Sequence, residues 1–189
     1  MLETGTLSNW LARGLRGHGL PVDVIDARQA HAVMKLQHNK TDANDAHLLA
    51  EIARTGFCRP VAVSSETSQE QRILIKARRH LVSQRNATRN AIRGFPGSLG
   101  LRFPKGSGKL GERVGTALAA RPDLSPLIEP LLSSVENLTQ EIARFDREIK
   151  ARAGEMAACR LLMTVPGVAE NTALAFVATI DDPSRFSDS

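Results

Sequence analysis

The chain of 189 residues has no tyrosine, one tryptophan and six phenylalanines. Aromatic platforms on which bases could stack are therefore not evident. Its two cysteines, Cys58 and Cys159, have neither metal-ligand spacing nor neighbouring histidines, which argues against a zinc site and against a disulfide framework. A reducing cytoplasm is the expected setting. No run of about 18 apolar residues occurs, and no basic segment followed by an apolar one opens the chain, so neither a membrane span nor a secretory signal is expected. The segment KGSGKLG fails as a phosphate loop, because Phe103 stands where a glycine is needed and Leu110 where Ser or Thr is needed. His18, His31, His38, His47 and His80 make no readable nucleophile–base set.

Lys and Arg total 25 against 20 for Asp and Glu, and the excess is unevenly placed. Residues 66–114 hold eleven basic and three acidic groups, a local net charge of +8, whereas residues 115–189 hold seven and eleven. The cations concentrate on Arg72, Lys76, Arg78, Arg79, Arg85, Arg89 and Arg93. Such clustering is what phosphate binding requires, and a solvated helix face is the ordinary alternative.

Hydrophobic spacing predicts the order of elements. Leu7, Trp10, Leu11 and Leu15 fall at helical spacing before Gly17 and Gly19, PVDVIDA reads as a buried strand, RQAHAVMKLQ as a helix, and RPVAV as an extended piece. Met1 to Glu3 reads as a short lead-in. From Ser65 to Arg93 no Pro or Gly interrupts, which predicts one long helix ending near Phe95, with Leu74, Ala77, Leu81, Thr88 and Ile92 on its packing side. The Gly- and Pro-rich stretch 96–126 predicts a loop and a short helix near 110–120. A second long helix follows, because Leu131, Val135, Leu138, Ile142, Phe145 and Ile149 step by alternating fours and threes, keeping an apolar seam toward a partner helix. The tail, CRLLMTVPGVAENTALAFVATIDDPSRF, predicts helix, Pro-Gly turn and helix, with Gly167 in the turn.

In HNKTDANDAHLLAEIARTG, Asp42 and Asp45 stand three apart at a helix start, so both carboxylates can face one spot. Capping and dipole stabilisation explain such residues equally well. The segment KTDANDAHLLAEIARTG resembles the acidic motif of DEDD-type transposases of the insertion-sequence 110 family, the bridge-RNA-guided recombinases. The LETG element before a Trp-containing helix and a strand, the long basic helix, and LLMTVPGVAENTALAFVATI resemble further parts of that family in the same order.

The resemblance implies an α/β plus α fold: residues 1–64 as the C-terminal part of a ribonuclease H-like (RuvC-like) DEDD domain, 65–155 as a helical coiled-coil arm, and 156–189 as the start of a helical C-terminal transposase domain with helix-hairpin-helix character. It implies that Glu3, Asp42 and Asp45 match the second, third and fourth acidic residues of a Mg²⁺ site, the first having no counterpart here. The family's nucleophilic serine is expected beyond the last residue, and Ser187 and Ser189 are not assigned to it. The chain is accordingly expected to be a fragment, or to have a misplaced start, and to be inactive alone. Expected partners are DNA and a guide RNA, held by the cations named above and by Gly167, and a second copy bound through the helical arm. The other reading of the residues is a non-catalytic nucleic-acid-binding or dimerisation module.

Overall fold

The computed structural model describes residues 1–35, 41–56, 58–103 and 110–186, without the side chains of Val33, Met34 and Asp42. Residues 36–40, among them His38, and Ser187 and Ser189 lie outside it. The described residues are mostly helical with one small sheet. Two compact units divide the chain, one of residues 1–66 with 181–189 and the other of residues 67–180.

In the first unit, β1 (Leu2–Glu3) pairs in parallel with β2 (Val24–Ile25), Leu2 opposite Val24 and Glu3 opposite Ile25. The residues read as a lead-in are thus a strand. Bonds from the Leu2 N–H to the Asp23 carbonyl and from the Thr4 N–H to the Ile25 carbonyl, both 2.8 Å, hold it. The extended piece expected at 59–63 makes one antiparallel bridge, Pro60 to Ile25. Between the strands runs α1 (Ser8–Gly17), whose Ala12 packs with Val22 and Val24, and with Leu2, Leu15 and Val63 at the margin. Trp10, on the opposite face, is 65% exposed.

After β2, α2 (Ala27–Met34) begins where the Thr4 hydroxyl accepts from the Ala27 N–H at 2.8 Å. It packs on α3 (Asp42–Thr55). Thr41 caps α3, its hydroxyl accepting from the Asn44 N–H at 3.2 Å, and Gly56, at φ 67°, ends it in the left-handed conformation that glycine adopts without a Cβ penalty.

The second unit is built on α4 (Glu66–Gly94) and α6 (Ser125–Glu155). Their direction follows from two ion pairs, Arg78 with Asp146 and Glu70 with Arg152: as one number rises the other falls, so the helices run antiparallel. Of the predicted seam, Val135, Ile142 and Ile149 are buried and Leu131, Leu138 and Phe145 half-buried, and the buried Ile128 extends the line seven residues further back. At one end Ile92, Val135 and Ile128 pack with α5 (Leu110–Ala120) through Val114 and Leu118. At the other, Ile149 and Ala153 pack with α7 (Ala157–Leu162) and α8 (Glu170–Ile180) through Cys159, Ala173 and Leu174, joined by Leu74 and Ile75 of α4. Each fully buried aliphatic side chain contributes about 1.5–3 kcal/mol by removal from water. Both cysteines are free, and burial pushes the Cys159 thiol above its ordinary value.

Candidate functional site

Glu3 ends β1 on the side of the sheet where both parallel strands finish, the usual place for a site in such sheets. Its side chain is 31% exposed, and its Oε1 lies 3.6 Å from Nε2 of His31, one turn into α2. Sequence gave no reason to link these residues; only the strand pairing and the start of α2 at Ala27 bring them together. Beside them, Asp26 accepts from the Arg28 side chain and backbone N–H at 2.7–3.1 Å. These bonds, the guanidinium first, hold its carboxyl down at about 2.

Asp42 is the first residue of α3, as expected, and its side chain lies outside the described atoms. Asp45 is half-buried one turn later, its N–H bonded to the Thr41 carbonyl at 3.0 Å. Among the described residues no three His, Cys, Asp or Glu side chains converge closely enough to hold one metal ion. Glu3 and His31 are the pair that does come together near the expected centre. Of the three expected carboxylates, Glu3 and Asp45 are among the described side chains and Asp42 is not.

The cations of α4 divide by the direction in which they face. Arg72 donates from Nε to the Ala178 carbonyl at 2.8 Å and from Nη2 to the Thr179 carbonyl at 3.2 Å, capping the C-terminus of α8. Arg78 bonds Asp146 on α6. Arg85, Arg89 and Arg93 are half-buried with their Nε atoms enclosed, and Arg93 also reaches Asn90 at 3.3 Å. Lys76 and Arg79 are exposed. Near the α5 end of the α4–α6 interface is a partly open cavity of about 360 Å³, lined by Arg89, Leu132, Glu136, Thr139 and Gln140.

Gly167 sits in the turn before α8 at φ 87°, and an added Cβ would meet nothing within 4 Å, so its conformation and not crowding favours glycine. Ala169, where a second glycine is typical of a hairpin motif, accepts the N–H groups of Thr172 and Ala173 at the start of α8. Leu162 and Leu174 lie in the core beneath the turn, while Val165 is 52% exposed. Among the described residues no helix is long and apolar enough to cross a membrane.

Comparison with known proteins adds what the geometry leaves open. A transposase model of the DEDD insertion-sequence 110 type matches residues 1–95, and a model of the IS116/IS110/IS902 transposase family matches residues 159–189. The chain is 30% identical over 191 residues to the transposase for insertion sequence element IS1111A of Coxiella burnetii, covering 98% of this chain and 52% of that protein. It is also 30% identical over 192 residues to a probable family 20 transposase of Pseudomonas aeruginosa, covering 98% and 56%. A transposase for insertion sequence element IS1328 of Yersinia enterocolitica is 23% identical over 192 residues. The chain spans about half the length of the curated relatives it matches.

Proposed function

We propose, because this chain belongs to the DEDD transposases of the insertion-sequence 110 type, that it serves a recombinase which cleaves and joins DNA strands when an insertion sequence moves. The observation that carries the reading is the match over residues 1–95, which contains Glu3, Asp42 and Asp45. Membership points to a divalent metal, and we assign Mg²⁺ to these three carboxylates within a RuvC-like domain. A hard cation prefers oxygen ligands of this kind. When bound, such an ion would neutralise charge at a scissile phosphate. To residues 65–155 we assign a helical arm that contacts nucleic acid, with DNA and a guide RNA as partners, and coiled-coil association with a second copy, in a cytoplasmic protein.

A second reading has an observation of its own. Residues 66–114 carry a net charge of +8, which suits a chain that by itself binds nucleic acid without cutting it. One set of measurements separates the two. Calorimetric titration with Mg²⁺, for the chain and for Asp45→Asn, is paired with a strand-exchange assay on paired DNA sites. Saturable Mg²⁺ binding that Asp45→Asn weakens tenfold or more supports the metal site. Equal, negligible binding by both leaves the nucleic-acid-binding module as the better account.

A further inference from the structure

The two flanks of the antiparallel α4–α6 pair differ. On one, the Ser68 hydroxyl and the Arg72 guanidinium of α4 hold α8, and Ile75 joins the core beneath it. At the other end of the same flank α5, through Leu110 and Gly111, shares a cavity with Leu132 and Thr139 of α6. Ile75 and Leu132 stand one residue, about 100°, past Leu74 and Leu131, whose rows turn the other way.

The second flank carries those rows. On α4, Leu74, Leu81 and Thr88 repeat every seven residues, as do Leu131, Leu138 and Phe145 on α6, and all six are half-buried. Two open cavities lie along them. One, of about 480 Å³, is lined by Ala87 and Thr88 of α4 and by Ser134 and Leu138 of α6. The other, of about 300 Å³, is lined by Leu74 and by Phe145, Glu148 and Arg152. Both keep the register set by Arg78 with Asp146 and Glu70 with Arg152, so they are two openings of one groove. Among the described residues nothing outside α4 and α6 lines either cavity, and Ile73, one turn before Ala77 on the outer edge, is 67% exposed. Apolar rows left half-buried along two helices are what a further helix pair covers in a four-helix bundle.

Charge and symmetry select the occupant. Beside the groove Glu141 pairs with Arg144 at 3.7 Å, Glu148 with Arg152 at 2.7 Å, and Glu70 approaches Arg152 at 3.9 Å, two cations against three acids in a chain of net charge +5. A phosphate backbone finds both cations already paired here, whereas a second flank of this kind meets little net repulsion. Leu74 and Thr88, one at each cavity, stand seven residues before and after Leu81. A two-fold axis across the arm at Leu81 therefore sets each cavity over the other cavity of a second copy. At the register of the ion pairs Leu81 is level with Ile142, so the same axis brings Glu141 of each copy level with Arg144 of the other. From Glu70 to Ala91 the flank runs about 32 Å at 1.5 Å per residue and about 18 Å across two helices, roughly 600 Å² per copy. Two copies would bury roughly 1,200 Å², the lower end of the range for specific, stable interfaces.

We propose that a second copy of this chain docks on the flank of Leu74, Leu81, Leu138 and Phe145, with α4 against α4 and α6 against α6 across a two-fold axis at Leu81. The inference rests on the reading that the arm associates with a second copy, and it narrows that association to one face and one symmetry.

The test is sedimentation equilibrium of the full chain from micromolar to submillimolar concentration. The wild-type mass should rise from 20.5 kDa toward twice that value. Ile73→Glu, at an exposed position, should leave the melting temperature within about 2 °C and weaken dimerisation about tenfold or more, because it sets a charge against an apolar row. Arg144→Glu should weaken the dimer, and adding Glu141→Arg should restore it. Phe176→Glu, at a 54% exposed position on α8, should leave it unchanged. A dimer unweakened by Ile73→Glu, or weakened equally by Phe176→Glu, overturns the flank and leaves association through another face of the arm standing. Failure of the charge exchange to restore the dimer overturns the two-fold at Leu81. A wild-type chain that stays monomeric throughout overturns both the flank and the association reading beneath it.

Discussion

Arg72 gives a sharp test of whether a cation in a basic helix serves structure or recognition. Its guanidinium caps α8 through the Ala178 and Thr179 carbonyls, and the Ala178 carbonyl also accepts from the buried Ser68 hydroxyl. A charge-assisted hydrogen bond contributes about 1.5 kcal/mol at the low end of its range, and the exposed second bond about 0.5. A cation at a helix C-terminus adds about 0.3–1 kcal/mol. Arg72→Met keeps the stem and removes the head, so it should cost about 2.5 kcal/mol of the stability of residues 67–180. For a unit of roughly 100 residues this lowers the melting temperature by about 10 °C. Ser68→Ala should cost about 1 kcal/mol by itself. The double variant should lose more than the sum, because each single variant leaves the Ala178 carbonyl one donor and the double leaves none. Thermal and urea unfolding followed by circular dichroism measure all four corners of the cycle. A strictly additive cycle, or an unchanged melting temperature in Arg72→Met accompanied by a flatter salt slope, would refute the capping role and return Arg72 to the phosphate contacts.

Ile149 is 2% exposed whereas Leu127, on the same helix, is 67% exposed. Ile149→Ala should therefore cost about 2–5 kcal/mol and Leu127→Ala no more than about 0.5, by urea unfolding; comparable costs would contradict the seam. The Asp26 carboxyl sits at about 2, below its ordinary 3.8, because Arg28 donates to it. A depressed carboxyl contributes its stabilisation above the unfolded value and loses it as pH falls through the folded one. Carboxyl chemical shifts should accordingly give a midpoint near 2 that Arg28→Gln raises toward 3.8, and an unchanged midpoint would remove Arg28 as the cause.

The helices were legible because their signals are local. From Ser65 to Arg93 nothing breaks the chain, and the seam of α6 repeats often enough that Val135, Ile142 and Ile149 fall on one line whatever surrounds them. β1 was not legible, since two residues cannot show alternation. Leu2 and Glu3 become a strand only because Val24 and Ile25, more than twenty residues later, offer them a ladder. The direction of the arginines was legible in principle and missed by counting charge. Arg78 and Arg85 share the helical side of Leu74, Leu81 and Ile92, so the seam residues themselves indicate which cations face inward.

The acidic site divides along the same line between local and distant information. Spacing of three residues after a capping Thr41 places Asp42 and Asp45 in the first turn of a helix, and the structure starts α3 there. Spacing is silent on how far that turn lies from Glu3, because the distance depends on how a sheet and two helices pack across some forty residues. For the same reason His31 could not be paired with Glu3 from sequence, although it lies 3.6 Å away. A carboxylate with an imidazole beside it is not the all-oxygen environment that a hard cation prefers. If His31 competes for Glu3, His31→Ala should strengthen Mg²⁺ binding severalfold in the same calorimetric titration. If it merely stands near, the titration should be unchanged, and a weaker affinity would mean that His31 helps to hold the ion.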